Sequence, residues 1–118
     1  MDDLPEKLKP EKARELIATG PARVLDLREE DEYAEGHVPA AERAGDLDAS
    51  LEGVPEDDPL ILICADGKRS GQAARELREK GRQAAHVDGG IEAWIGAGLP
   101  IQPRPDEEFE GPKKAMLY

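Results

Sequence analysis

The residue best suited to covalent chemistry is Cys64, the single cysteine in a chain of 118 residues. It follows the most apolar run of the sequence, residues 60–63, and precedes a loop that contains Lys68 and Arg69. A loop of this kind at the start of a helix can turn its backbone N–H groups inward and bind an anion. A helix N-terminus and nearby basic side chains also favour the thiolate form of a cysteine. We therefore predict that Cys64 is a nucleophile; the alternative is a small apolar residue that only ends a core strand.

A single cysteine also limits the other chemistry that the chain can support. It cannot form an internal disulfide, and it supplies too few ligands for a cysteine-based zinc or iron–sulfur site. Residues 1–10 lack the apolar segment of a signal peptide, and the sequence has no run of about 18 apolar residues. We therefore expect a protein of the reducing cytoplasm that binds no membrane.

The charge of the chain argues against nucleic acid as a partner. Acidic residues number 27 against 16 basic residues, which gives a formal net charge of -11 at pH 7. Such a surface repels the phosphate groups of nucleic acids and of anionic lipids. We expect an acidic, well-solvated surface and no nucleic acid partner.

The segments that must position Cys64 follow the alternation that is typical of an α/β domain. The predicted strands cover residues 22–27, 60–64 and 84–87, and the predicted helices cover residues 10–19, 29–35, 46–51, 70–80 and 91–97. Ser70 is the predicted N-cap of the helix that follows the loop. The run that ends at Cys64 is apolar at every position, which predicts a central parallel strand buried on both faces.

One domain is expected to cover residues 1–101. Aromatic residues make up only 3% of the chain, so the core must consist of aliphatic side chains around Trp94. Residues 102–118 interleave prolines with acidic side chains. This composition cannot bury enough apolar surface to form a core, and it predicts an acidic, proline-containing tail.

Four segments resemble, in order and spacing, the motifs of the single-domain rhodaneses, a family of sulfurtransferases. Residues 64–70 read Cys-Ala-Asp-Gly-Lys-Arg-Ser, similar to the family's active-site loop Cys-x-x-Gly-x-Arg-Ser. Residues 25–28, with Glu29 and Tyr33, look like its Asp-x-Arg segment, and residues 36–41 resemble its Gly-His-Ile-Pro-Gly-Ala turn. Residues 88–94 resemble its closing Gly-Gly-x-x-x-Trp helix. The ordered combination is far more specific than any one motif alone.

The resemblance implies a single rhodanese-like domain of the α/β class, with a central, mostly parallel sheet of four to five strands and helices on both faces. It also implies an enzyme, a thiosulfate sulfurtransferase that needs neither a metal ion nor an organic cofactor. In such an enzyme the cysteine takes the outer sulfur of an anionic donor such as thiosulfate, holds it as a persulfide and passes it to cyanide or a thiol. The expected partners are therefore a small anionic sulfur donor and a cyanide or thiol acceptor, with a protein as a further candidate acceptor.

Carried over to this chain, the resemblance implies that Cys64 is the catalytic residue. The backbone amides of the loop would surround the sulfur, and the side chains of Lys68 and Arg69 would attract the donor. The substrate-binding residues are then Ala65, Asp66, Gly67, Lys68, Arg69 and Ser70. Asp66 places a negative charge in this loop, which is expected to weaken the binding of an anionic donor.

Three polar residues outside the loop are expected to support the fold rather than to react. Asp26 and Arg28 stand at the end of a predicted strand, where a buried ion pair or hydrogen bonds suit them. His37 stands beside a proline turn and is expected to hold that turn. His86, in the last predicted strand, is interpreted as an ordinary strand residue.

Two other functions remain open at this point. A domain of this kind can act as a binding or regulatory module that needs no chemistry at Cys64. A cysteine in an anion-binding loop also serves thiol-dependent phosphatases and arsenate reductases. The related cell-cycle dual-specificity phosphatases place five residues between cysteine and arginine, whereas four residues separate Cys64 from Arg69. The smaller ring suits a sulfur atom better than a phosphate, so sulfur transfer is the favoured interpretation.

Overall fold

Five parallel strands form one sheet within residues 4–103, the part of the chain that the computed structural model describes. The strands are β1 (Lys7–Leu8), β2 (Arg23–Asp26), β3 (Ala41–Arg43), β4 (Leu60–Ile63) and β5 (Ala84–Val87), and the helices are α1 (Pro10–Thr19), α2 (Glu30–Glu35), α3 (Leu47–Ser50), α4 (Lys68–Glu79) and α5 (Gly90–Gly96). The strands lie in the order β1-β5-β4-β2-β3, and each neighbouring pair is parallel. The predicted fold class is confirmed.

The central position of β4 follows from its sequence. All four of its residues are apolar and buried, as a parallel strand covered on both faces requires. Ile61 and Ile63 pack in one core cluster with residues of α1 and α5. Leu60 and Leu62 pack in a second cluster with residues of α4. Since alternate residues of a strand point to opposite faces, helices cover both faces of the sheet.

The sequence predicts β2, β4 and β5 to within one residue at each end, but it does not predict β1 or β3. Strand β1 has two residues, and β3 has three, of which Glu42 and Arg43 are exposed. Neither segment offers an apolar run or an alternation long enough to indicate a strand. Both lie at the edges of the sheet, where pairing with a neighbour selects the conformation.

The five predicted helices are present, but α4 begins two residues earlier than predicted. Gly67 is its N-cap, so the prediction that Ser70 caps this helix is wrong. The φ angle of Gly67 is 94°, a left-handed conformation that glycine adopts without steric cost. Ser70 is instead fully buried in the first turn of α4. Its backbone and hydroxyl groups therefore face the interior beside Cys64.

The chain is still attached to the domain at the last described residues. The backbone of Gln102 pairs with that of His37 through hydrogen bonds of 2.7 and 2.8 Å. The rest of the predicted tail, residues 104–118, lies outside the described residues. No helix between residues 4 and 103 combines the length and the hydropathy of a membrane span.

Candidate active site

Cys64 lies where parallel α/β sheets bind their ligands, at the carboxyl end of the central strand. It is the residue directly after β4, and three residues separate it from the first residue of α4. Only 4% of its surface is exposed, and its side chain joins the core cluster under α4. The thiol therefore lies between the apolar core and the loop that leads into α4.

Three hydrogen-bonding groups of the loop surround the Cys64 sulfur. The Gly67 N–H donates to Sγ at 3.2 Å, and the Ser70 N–H donates to it at 3.3 Å. The Ser70 hydroxyl oxygen lies 3.3 Å from Sγ. Hydrogen bonds to a charged acceptor are stronger than those to a neutral one, so these donors stabilise an anionic sulfur. The geometry suits a thiolate at Cys64.

The charged side chains of the loop, those of Asp66, Lys68 and Arg69, are exposed. The Asp66 carboxylate accepts a hydrogen bond from the Lys68 N–H at 3.0 Å. An aspartate that bonds the backbone two residues ahead stabilises a tight turn. Asp66 thus shapes the loop. Its carboxylate also takes up the Lys68 N–H, one of the backbone amides that were predicted to bind the substrate. Substrate binding by residues 65–70 stays a prediction at this stage.

The turn before α5 holds the start of the loop. The Ile91 N–H donates to the Cys64 carbonyl at 2.8 Å, and the Glu92 N–H donates to the Ala65 carbonyl at 3.1 Å. These N–H groups belong to the first turn of α5, where no partner within the helix is available. Gly90 allows the close approach, because a Cβ at this position would overlap both carbonyl oxygens.

A buried ion pair, formed by Asp26 and Arg28, lies at the end of β2, the neighbour of β4. Arg28 donates from Nε to Oδ1 of Asp26 at 3.0 Å and from Nη2 to Oδ2 at 2.9 Å. Its Nη2 also donates to the Gly36 carbonyl at 2.6 Å. Asp26 is fully buried and Arg28 is 8% exposed. These contacts tie the end of β2 to the residue that follows α2.

His37 contacts the chain around its own turn. Its imidazole stacks on the Tyr33 ring, with centroids 3.8 Å apart, and its Nδ1–H donates to the Tyr33 carbonyl at 2.7 Å. The Tyr33 hydroxyl in turn donates to the Ala41 carbonyl. Burial raises the pKa of Tyr33, and the charges of Asp26 and Glu42 add to this effect. His37 thus packs against α2 through Tyr33, and Tyr33 joins α2 to β3; the described contacts of His37 do not include the Cys64 loop.

His86 is the polar residue near the site that the sequence did not reveal. It is buried in β5, and its Nδ1 lies 3.4 Å from the Ser70 hydroxyl oxygen. The imidazole is therefore one hydroxyl group away from the Cys64 sulfur. The available signal was strand register, because His86 pairs with Leu62, two residues before Cys64 on the neighbouring strand. That register is a property of the fold, and no local motif records it.

Space for small molecules lies on two sides of the loop. A cavity of about 720 Å³ is lined by residues 66–68 and His86, with the basic side chains of Lys7 and Arg75. A second hollow, of about 490 Å³, is lined by Arg69 and by Leu27 and Ala44. Among residues 4–103, no three His, Cys, Asp or Glu side chains cluster as the ligands of a metal ion do.

The fold and the loop define a known class of domain. The family model described as the Rhodanese-like domain matches residues 9–97. The chain therefore belongs to the family of rhodanese-like domains.

Individual relatives agree with this assignment. The chain is 37% identical over 79 residues to the protein YtwF of Bacillus subtilis (strain 168), a match that covers 65% of this chain and 77% of that protein. It is 32% identical over 106 residues to the thiosulfate sulfurtransferase GlpE of Pseudomonas paraeruginosa, covering 80% of this chain and 87% of the relative. A crystal structure of a rhodanese-related protein from Thermoplasma volcanium superposes with a TM-score of 0.72 at 28% identity, covering 85% of this chain and all of that one.

The buried ion pair gives a testable expectation for stability. We expect Asp26→Asn to lower the free energy of unfolding by about 3–5 kcal/mol, because it leaves the Arg28 guanidinium buried without its counter-charge. Asp58→Asn is the matched control, since Asp58 is half-exposed and pairs with Arg23 at 3.8 Å. The control should cost less than about 1 kcal/mol. Urea denaturation measures both; equal losses would contradict the role assigned to the pair.

Gly90 gives a second expectation. Gly98 has a φ angle of 78° and open space around it, whereas Gly90 has a φ angle of 65° and no room for a Cβ. Gly98→Ala should therefore cost only the left-handed backbone strain, about 1–2 kcal/mol. Gly90→Ala should cost clearly more than Gly98→Ala, because the methyl group also pushes α5 away from the Cys64 loop. Thermal and urea unfolding of the two proteins test this ordering, and similar values would show that the loop does not depend on the close approach.

Proposed function

We propose that this rhodanese-like domain is a sulfurtransferase that carries sulfane sulfur on Cys64. The observation that carries the proposal is the convergence of the Gly67 and Ser70 N–H groups on Sγ, at 3.2 and 3.3 Å. Such donors stabilise the negative charge of the Cys64 thiolate that attacks the sulfur donor. The similarity to a relative named thiosulfate sulfurtransferase, over 87% of that relative's length, supports the same reaction class.

The proposed first half-reaction loads the cysteine. The Cys64 thiolate attacks the outer sulfur of thiosulfate and forms a new S–S bond. The S–S bond of thiosulfate breaks, and sulfite leaves with its electron pair. The outer sulfur of the resulting persulfide carries the negative charge. The loop donors stabilise this charge, and the exposed side chains of Lys68 and Arg69 attract the dianionic donor to the loop.

The second half-reaction removes the outer sulfur from Cys64. Cyanide or a thiolate attacks the outer sulfur of the persulfide, and the bond to Cys64 Sγ breaks. The product is thiocyanate or a new persulfide, and the Cys64 thiolate is restored. No electron enters or leaves the cycle, so the protein needs no redox cofactor for it. A reducing cytoplasm is the matching location, because it keeps an unloaded thiol from oxidising.

The roles of the remaining predicted residues follow from this scheme. Asp26, Arg28 and His37 hold the chain segments around the site and take no part in the transfer. Ala65 and Asp66 shape the entrance of the loop through two hydrogen bonds. The Ala65 carbonyl accepts one from the Glu92 N–H, and the Asp66 carboxylate accepts one from the Lys68 N–H. A binding or regulatory role that needs no sulfur chemistry is the alternative that the next experiment separates.

Loading of Cys64 can be observed directly. After incubation with thiosulfate and removal of excess donor, we expect the intact protein to gain the mass of one sulfur atom in a mass spectrum. Cys64→Ser should gain nothing, and cyanide should return the loaded protein to its original mass with formation of thiocyanate. If neither thiosulfate nor another sulfane sulfur donor adds mass at Cys64, the proposed function is wrong.

Asp66 provides a finer test of how the loop binds its donor. Asp66→Asn keeps a side-chain carbonyl that can accept the Lys68 N–H, but it removes a negative charge from the loop. We expect the KM for thiosulfate to fall by about fivefold with kcat nearly unchanged, since one like charge at short range is worth about 1 kcal/mol. Asp57→Asn is the control, because this exposed carboxylate precedes β4 at the opposite end of the sheet. An unchanged KM in Asp66→Asn would exclude donor binding next to this side chain.

A further inference from the structure

We propose that His86 is a positioning residue that turns the Ser70 hydroxyl toward the Cys64 sulfur and so adds a third hydrogen bond to the anionic sulfur. This inference rests on the proposed function, since it concerns the same sulfur anion. It assigns to His86, a residue outside the loop, an effect on the stability of that anion. Ser70 and His86 are both buried, and the Ser70 oxygen lies within hydrogen-bond distance of Sγ and of the His86 ring.

The hydroxyl oxygen of Ser70 has three partners to choose from. Sγ lies at 3.3 Å, the Gly67 carbonyl at 3.5 Å and the His86 Nδ1 at 3.4 Å. A serine hydroxyl has a single hydrogen to donate and two lone pairs that accept. If Nδ1 carries no hydrogen, the ring accepts that single hydrogen and the sulfur loses a donor. If Nδ1 carries a hydrogen, the ring donates to the oxygen, and the hydroxyl hydrogen is available to the Gly67 carbonyl or to Sγ.

The charge on the sulfur decides between these last two acceptors. A protonated thiol can itself donate to the Ser70 oxygen, and the hydroxyl hydrogen then points to the Gly67 carbonyl. An anionic sulfur is a stronger acceptor than a neutral carbonyl, so it takes the hydroxyl hydrogen. With His86 as the donor to Ser70, the sulfur anion therefore receives hydrogen bonds from two amides and one hydroxyl.

The packing around the ring supports this arrangement. Gly71 follows Ser70 in α4, and a Cβ there would lie 3.1 Å from Cε1 and 3.2 Å from Nε2 of His86. Glycine weakens a helix relative to alanine, so its presence inside α4 has a cost to the helix. The space that it leaves is occupied by the imidazole. The ring is thereby held against the first turn of α4 next to Ser70.

Burial also favours the neutral form of the ring. Burial lowers the pKa of His86 below its ordinary value, and Lys7 acts in the same direction, against the charges of Asp88 and Glu6 and a hydrogen bond with the backbone of Val87. A neutral imidazole carries one hydrogen, and we place it on Nδ1. The charged side chains of α4 that line the cavity beside His86 are Lys68, Arg75, Glu76 and Glu79.

The test is the rate at which iodoacetamide alkylates Cys64 in the full chain, from mildly acidic to strongly alkaline pH and without a sulfur donor. The thiolate is the reactive form, so the profile measures how strongly the site favours the anion. We expect His86→Leu to slow the reaction about tenfold at neutral pH, to move the midpoint to higher pH and to meet wild type at alkaline pH. Ser70→Ala should slow the alkylation by the same factor, and the double variant Ser70→Ala/His86→Leu should be no slower than either single variant.

Three further variants make the test specific. His86→Asn places an amide near the position of Nδ1 and should stay within about twofold of wild type. His86→Gln extends its amide past Ser70 and should slow the alkylation of Cys64 as much as His86→Leu does. It takes the place of His86→Leu in the test if the leucine variant does not fold. Gln72→Leu removes a polar group from the same cavity without touching Ser70, and it should have the wild-type profile.

Three results would overturn the proposal: a wild-type profile in the His86 loss variants, a loss that persists in the Ser70→Ala background, or no rescue by His86→Asn. Because the assay contains no sulfur donor, its outcome is independent of whether thiosulfate loads Cys64. The mass measurement tests the proposed function separately, so a failure of either can be recognised.

Discussion

The hydrogen bonds from α5 to the carbonyl groups of Cys64 and Ala65 are the constraint on which the site depends. They fix the two peptide groups that follow β4, and the chain must then reverse before α4 begins at Lys68. Gly67 makes the reversal through its left-handed conformation. Both helices therefore donate hydrogen bonds to this segment. The first turn of α5 donates to the carbonyls of Cys64 and Ala65, and the amide of Ser70 in α4 donates to the sulfur. Groups that a helix start leaves unpaired are thus satisfied by the loop and by Cys64.

Much of this arrangement follows from local sequence. Strand β4 is apolar throughout, so its central position and the location of Cys64 at its end could be predicted from the residue types alone. The helix after the loop was equally clear, although its first residues were not. Ser70 has the side chain of a common N-cap, but a glycine that reverses the chain takes that position instead. Residue type could not distinguish a serine that caps a helix from one that faces a buried sulfur.

Other features of the fold and the site depend on pairing across the sheet and cannot be recognised from the local sequence. Strands β1 and β3 are too short to be recognised, since their conformation is selected by the strands next to them. His86 looked like an ordinary strand residue because its neighbours in sequence carry no chemistry. Only the register of β5 against β4 brings its ring to Ser70.

An acidic chain and an anion-binding loop are compatible because they act over different distances. The net charge of -11 acts through solvent and is screened beyond about 8 Å at physiological ionic strength. The amides at Cys64 act at contact, at 3.2 and 3.3 Å. Under the proposed function, the overall charge therefore affects how often an anionic donor arrives, and the loop determines how firmly it is held. Lys68 and Arg69, exposed at the start of α4, carry the opposite charge next to the loop.

The attachment of the loop to α5 also links sulfur chemistry to local opening of the domain. Helix α5 spans only residues Gly90–Gly96, and two side chains, those of Ile91 and Trp94, anchor it in the core. Short helices with few buried residues open more readily than a central sheet does. When α5 detaches, the carbonyl anchors of the loop are released while β2, β4 and β5 stay paired. A heated or strained molecule would then lose its sulfur-holding geometry well before it lost its fold.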